Sequence, residues 1–142
     1  MKKYNIGYTT GVFDMFHIGH LNILRKAKEQ CEFLIVGVST DEVVEGYKHK
    51  IPIVPFAERF AIVEAIRYAD RVVAQTSMDK MAAWEILKFN ALFHGDDLKG
   101  NLKWIEMEQQ FEKVGVDVVF LPYTQGTSST QLREVLDKLL KA

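Results

Sequence analysis

"EFLIVGVS", residues 32–39, is apolar on both faces over most of its length. A strand with one wet face would alternate apolar and polar residues. A run like this one belongs in the middle of a parallel sheet that helices cover on both sides. Working outward, residues 4–10 read as another buried strand and residues 18–30 as the helix between the two. That helix turns Leu21, Leu24 and Ala27 inward and Arg25, Lys26, Lys28 and Glu29 toward water. Beyond the central run, "TDEVVEGYKHKIPIVP" (40–55) reads as a polar loop holding two of the three prolines. Helices are then predicted at 56–67, 80–89, 102–113 and 129–140, and strands at 71–75, 91–95 and 117–122. The first of these helices carries Phe60, Val63 and Ile66 along one side.

Strands separated by helices are βαβ units, and they predict an α/β chain. The expected architecture is a Rossmann-like, doubly wound parallel sheet flanked by helices, with residues 1–142 forming one domain. No repeat, low-complexity segment or linker interrupts it. A net charge of −1 argues against a general nucleic-acid binder, which would carry a strongly basic face. Cys31 is the one cysteine, so no intrachain disulfide forms. No apolar stretch approaches the roughly 20 residues of a membrane span. The start of the chain, charged and soon followed by Asp14, His17 and His20, does not read as a signal peptide. A cytoplasmic location is expected.

Doubly wound sheets bind ligands at the carboxyl ends of their strands, near the switch in strand order. The polar clusters of this chain all follow predicted strands, at 9–20, 39–50, 94–100 and 123–130. In "TTGVFDMFHIGH" (9–20), His17 and His20 lie three apart at a helix start and can address one point. Unpaired backbone N–H groups there favour an anion, and Gly19 removes a side chain where a phosphate would approach. Zinc and structural packing are the competing readings. Zinc wants three or four ligands, and His94 is the only other strand-end histidine.

"KHK" (48–50) is either a solvated pair of lysines or a cationic cluster suited to a triphosphate. "YTQGTSSTQLRE" (123–134) supplies a Ser/Thr helix cap with hydroxyls to spare, a second possible phosphate cradle. "HGDD" (94–97) is either an acidic capping turn or a site for a base, a ribose or magnesium. "RYAD" (67–70) ends a helix, where arginine is ordinary on dipole grounds. No Walker A motif is present, because Asn101 follows Gly100 where lysine is required, and no G-x-G-x-x-G occurs.

In order along nearly the whole chain, these segments resemble the cytidylyltransferase family, and within it the branch acting on glycerol 3-phosphate. The residues that carry the resemblance are His17-Ile18-Gly19-His20 for its H-x-G-H motif, "STDE" (39–42), "RYADRVV", "HGDDLKG" and "YTQGTSST". The resemblance implies transfer of CMP from CTP to a phosphorylated alcohol, with magnesium and release of pyrophosphate. Glycerol 3-phosphate would give CDP-glycerol, a precursor of a surface polymer such as teichoic acid or capsule. His17 and His20 would contact phosphate and stabilise the transition state, with Lys50 on the triphosphate. Gly11, Val12 and Phe13 would face the nucleotide, together with Arg67, Asp96, Thr124, Gly126, Ser128, Ser129 and Thr130. Lys48 and Lys80 would meet the acceptor. Metal ligands are not indicated, and a homodimer is expected.

Two departures stand out: Tyr123 replaces an arginine of the family loop, and Val12 a threonine. Arg133, one turn beyond the loop, could restore the missing charge. Another phosphoalcohol, ATP as donor, or a nucleotide-sensing relative without activity are the alternatives. A receiver-type signalling module is disfavoured, since the last strand is followed by Tyr123 and hydroxyls rather than lysine.

Overall fold

The computed structural model describes residues 2–122, 124 and 126–141; Tyr123 lies outside them. Along the chain run β1 (Tyr4–Gly11), α1 (Ile18–Gln30), β2 (Cys31–Ser39), α2 (Asp41–Lys48) and α3 (Phe56–Glu64). They are followed by β3 (Arg71–Gln75), α4 (Lys80–Leu87), β4 (Ala91–Gly95), a 3₁₀ turn (Asp96–Leu98), α5 (Leu102–Glu112), β5 (Asp117–Leu121) and α6 (Ser129–Lys141). Among the described residues, the five strands form one sheet in the order β3-β2-β1-β4-β5, every neighbouring pair parallel. This is the Rossmann-like α/β fold expected.

The central run earns its place by burial on both faces. Leu34, Val36 and Val38 pack with Leu24 and Ala27 of α1 and Val63 of α3. Ile35 joins Tyr8, Phe89, Leu92, Trp104 and Phe111 on the other face. Each fully buried aliphatic side chain of this kind stabilises the fold by roughly 1.5–3 kcal/mol relative to leaving it in water. Only the start of the run, Glu32 and Phe33, reaches the surface.

One expectation fails. Much of the predicted polar loop at 40–55 is the helix α2. Thr40 caps it, its Oγ1 accepting from the Val43 N–H at 3.2 Å, and Asp41 and Glu42 complement the helix dipole in the first turn. His49 ends it in the left-handed region, at φ 56°. The other elements agree within a few residues. α4 stops at Leu87, because Lys88 adopts φ 51° and closes the helix. No described helix is long and apolar enough to cross a membrane.

Candidate functional site

β1 lies in the middle of the sheet. The chain runs from it outward through β2 and β3, then returns to place β4 on its other side. That switch in strand order opens a cavity of about 590 Å³ at the carboxyl ends of β1 and β4. Its size falls within the usual range for small-molecule sites.

After Gly11 the chain makes a tight reversal, with Phe13 at φ 55° and Met15 at φ 49°. Phe13 folds back into the core against Gly11, where a Cβ would come within 3.0 Å of its ring. The reversal delivers His17 to the N-cap of α1, in extended conformation. There the two histidines form a reciprocal capping box. The Gly19 N–H donates to His17 Nδ1 at 3.0 Å, and the His17 N–H donates to His20 Nδ1 at 3.2 Å. The ring centroids stand 4.0 Å apart.

This geometry fixes the chemistry of both rings. A nitrogen that accepts a hydrogen bond carries no proton, so each neutral imidazole carries its proton on Nε2. Burial lowers the pKa of His17. His20, packed between Phe13 and Phe16, is lowered to about 4 by burial and by the neighbouring His17 and Lys48, with Asp14 opposing. The pair therefore offers two neutral N–H donors at physiological pH. Gly19 has a structural use at the cap as well. A Cβ there would sit 2.9 Å from His17 Cε1, so the missing side chain makes room for the capping ring.

Cations share the cavity with the histidines. Lys48, Lys50 and Arg133 all line the cavity. Burial lowers the Lys48 pKa, with Arg133 and Lys50 adding to the effect against Asp14. Asp14 is the buried organiser of this wall. Its two oxygens accept the Ile53 and Val54 N–H groups at 2.8 Å each, and its Oδ2 lies 3.7 Å from Arg133. Arg133 also donates to the Ile51 carbonyl at 2.6 Å.

Thr124, Ser128, Ser129 and Thr130 line the cavity, along with Thr127. The hydroxyls are less spare than the sequence implied. Ser128 accepts from the Gln131 N–H at 3.1 Å as the helix cap, and Ser129 donates to the Asp14 carbonyl at 2.6 Å. Thr124 Oγ1 accepts from Asn22 at 3.2 Å.

Gly11, Val12, Phe13, His17, His20, Lys48 and Lys50 also line the cavity; Gly126, Arg67, Asp96 and Lys80 do not. Gly126 turns the chain at φ 112°. Arg67 is exposed, its guanidinium against the Tyr68 ring and hydroxyl. Asp96 sits in the exposed turn, while its neighbour Asp97 lines the cavity. Lys80 is buried, its ammonium 5.6 Å from the Trp104 ring centroid, beside a smaller cavity between α4 and α5.

Trp104 also packs against His94 at 4.4 Å, and His94 faces the main cavity. The His94 Nδ1–H donates to the Gly95 carbonyl at 3.2 Å, and burial lowers its pKa. It is thus the opposite tautomer to His17 and His20. Among the described residues no group of three or more His, Cys, Asp or Glu side chains converges as a metal site.

Sequence reasoning passed over Asp14 as a cavity builder. Asp14 stood in the quoted stretch, but its partners are backbone N–H groups about forty residues away, which no side-chain pattern marks.

A family model described as Cytidylyltransferase-like matches residues 8–135. The glycerol-3-phosphate cytidylyltransferase of Bacillus subtilis is 34% identical over 133 residues, covering 89% of this chain and 92% of that protein. The FAD synthase of Thermococcus kodakarensis is 29% identical over 133 residues, covering 92% of this chain and 89% of that protein. Among solved structures, the lipopolysaccharide core biosynthesis protein of Thermoplasma volcanium superposes with a TM-score of 0.72 at 26% identity, covering 87% of this chain and 99% of the other.

Proposed function

Since the chain belongs to the cytidylyltransferase-like family, we propose that it transfers CMP from CTP to glycerol 3-phosphate, releasing CDP-glycerol and pyrophosphate. The observation that carries this reading is the meeting, in one switch-point cavity, of two neutral imidazole donors, two lysines and a run of hydroxyls. In the reaction, a phosphate oxygen of the acceptor attacks the α-phosphorus of CTP. A new P–O bond forms as the bond to the bridging oxygen breaks, and pyrophosphate leaves with the electron pair. That phosphate oxygen is already ionised at neutral pH, so no general base is required. The protein's task is to bring two polyanions together in line and to stabilise the charge that moves to the leaving group.

His17 and His20 donate through Nε2–H to phosphate oxygens, from rings their capping bonds hold still. Lys50 and Arg133 neutralise the triphosphate, and Lys48 meets the acceptor phosphate. Arg133, in the cavity wall, supplies the charge that Tyr123 does not. Thr124, Ser128, Ser129 and Thr130 surround the triphosphate; Gly11, Val12 and Phe13 hold the nucleoside. Arg67, Asp96, Gly126 and Lys80 act from outside the cavity lining, Lys80 on the acceptor side behind Trp104.

Magnesium, when bound, neutralises phosphate charge. The side chains described do not build a cage for it, both Asp14 oxygens being committed to backbone N–H groups. The ion would ride chiefly on the triphosphate. One domain, a cytoplasmic location and a homodimer complete the reading.

Another phosphoalcohol, or ATP as donor, is the second reading, favoured by a relative named as an FAD synthase at 29% identity. Pyrophosphate release is the test. The purified protein is mixed with magnesium, glycerol 3-phosphate and each nucleoside triphosphate in turn. Release with CTP alone is expected. Release only with another triphosphate, or none from folded protein, overturns the assignment.

A further inference from the structure

Arg59 is the largest fully buried side chain described, 1% exposed, and it does not line the cavity. Its guanidinium makes four short hydrogen bonds. Nε donates to the Val54 carbonyl at 2.8 Å, and Nη1 to the carbonyls of Val12 at 2.7 Å and Ser39 at 2.8 Å. Nη2 donates to Asp41 Oδ1 at 2.6 Å, while the other Asp41 oxygen accepts the Phe56 N–H at 3.3 Å. The Phe56 ring lies 5.7 Å from the guanidinium carbon.

These partners belong to separate stretches with separate duties. Val12 sits in the reversal after β1 that lines the cavity. Asp41 opens α2, which ends at Lys48, and Val54 closes the segment that carries Lys50. The two sides are joined near the cavity by Asp14, but behind it they meet on Arg59. A buried charge is an expensive way to fill space, and apolar residues of similar volume often serve stability as well or better. What an apolar residue cannot do is hold three carbonyls and a carboxylate at fixed angles. A planar guanidinium does this; the single ammonium of lysine, with three donors on one nitrogen, does not.

We infer that Arg59 is a positioning residue, clamping the loop around Val12 to the segment from Asp41 to Val54 so that Lys48 and Lys50 stand at a set distance from His17 and His20. In-line transfer between two anions depends on that distance, and a misplacement of about 1 Å costs roughly 100-fold in rate. The kinetic part of this inference rests on the proposed transferase reading; the mechanical part does not.

The full chain carrying Arg59→Lys tests both. Amide exchange is followed by mass spectrometry in peptides covering residues 8–17 and 41–55, beside melting temperature and pyrophosphate release. Exchange should rise in both peptides together while β4 and β5 stay protected. At a temperature where the variant is folded, kcat should fall about 100-fold with the KM for CTP changed far less. Faster exchange in 41–55 alone overturns the clamp, as does a kcat within about threefold of the parent. If Arg59→Lys does not fold, Asp41→Asn loosens one arm at nearly constant volume. The same joint rise in exchange is then expected, and its absence counts against the inference. If the parent itself releases no pyrophosphate with any acceptor or triphosphate, the transferase reading has failed, and the exchange result alone decides the clamp.

Discussion

His17 does two jobs with two nitrogens, and a single substitution can separate them. Nδ1 caps α1 through the Gly19 N–H, while Nε2–H is left for a phosphate. Asparagine is among the best N-cap residues and places an acceptor oxygen near the Nδ1 position, with nothing at Nε2. His17→Asn should therefore leave stability within about 0.5 kcal/mol, whereas alanine should lose about 1 kcal/mol of capping. Turnover should fall by orders of magnitude in both. Urea denaturation beside pyrophosphate release reads this directly. A fully active, stable His17→Asn protein would assign the histidine to capping alone. Lys80 shows the reverse trade, stability given up for a charge. It is 5% exposed, and burial lowers its pKa to about 8. An ordinary unfolded lysine titrates near 10.4. Below about pH 8 the buried ammonium is protonated in both states and its full desolvation cost falls on the fold. From about 8 to 10.4 the folded lysine gives up its proton before the unfolded one, and the fold gains stability as pH rises. Lys80→Met should thus be more stable than the parent by about 1–3 kcal/mol at pH 7. The gap should narrow steadily by pH 10, with the acceptor KM raised. A variant less stable at pH 7 would mean that the ammonium is better satisfied than its Trp104 contact suggests.

Among the elements, strands were easy to read and α2 was not. β2 announces itself by consecutive apolar residues, since both of its faces are covered. α2 buries only Val44, carries Gly46 and sits next to two prolines, so its apolar stripe is too thin to see. Its caps were nevertheless in the sequence: Thr40 with two acids behind it is a helix start. Reading periodicity ahead of capping hid the helix that carries Lys48. The candidate site was legible to the degree that fold topology dictated it. Once the sheet was known to be doubly wound, the clusters after β1, β2 and β5 had to converge at one end. Side chains whose partners are backbone carbonyls left no trace. Nothing in the sequence pattern marks Arg59, because Val12, Ser39 and Val54 take part only through their carbonyls. Arg67 shows the opposite case, a motif match that local structure does not bring into the cavity lining. Its place in "RYAD" matches a motif, yet the helix ends at Glu64 and leaves the arginine on the surface beside Tyr68.

At the scale of the molecule, the cavity is also what joins the last helix to the sheet. α6 has no buried side chain, and Leu139 and Leu140 are 68% and 84% exposed. Among the described residues, its hydrogen bonds to the rest of the chain stand at its cavity end. Ser129 bonds the Asp14 carbonyl and Arg133 the Ile51 carbonyl, with Thr124 on Asn22 just ahead of the helix. A triphosphate held between His17, His20, the lysines and the 124–130 hydroxyls would bridge α1, α2 and α6 at once. It would stabilise the folded state by mass action, whether or not an acceptor is present. At a free concentration about 100 times Kd the gain is about 2.7 kcal/mol, which for a chain of this size raises Tm by roughly 8 °C. Thermal unfolding in each of the four nucleoside triphosphates, without acceptor, should show that shift with CTP and a much smaller one with the rest. A larger shift with ATP would move the donor assignment to adenine while keeping the site. No shift with any of them, at millimolar concentration with magnesium, would mean that the cavity does not hold a triphosphate. The arginine and lysines that line it would then serve some other anion. Because binding is read here without turnover, a shift with CTP but no pyrophosphate release on a panel of phosphoalcohols would separate a nucleotide sensor from an enzyme.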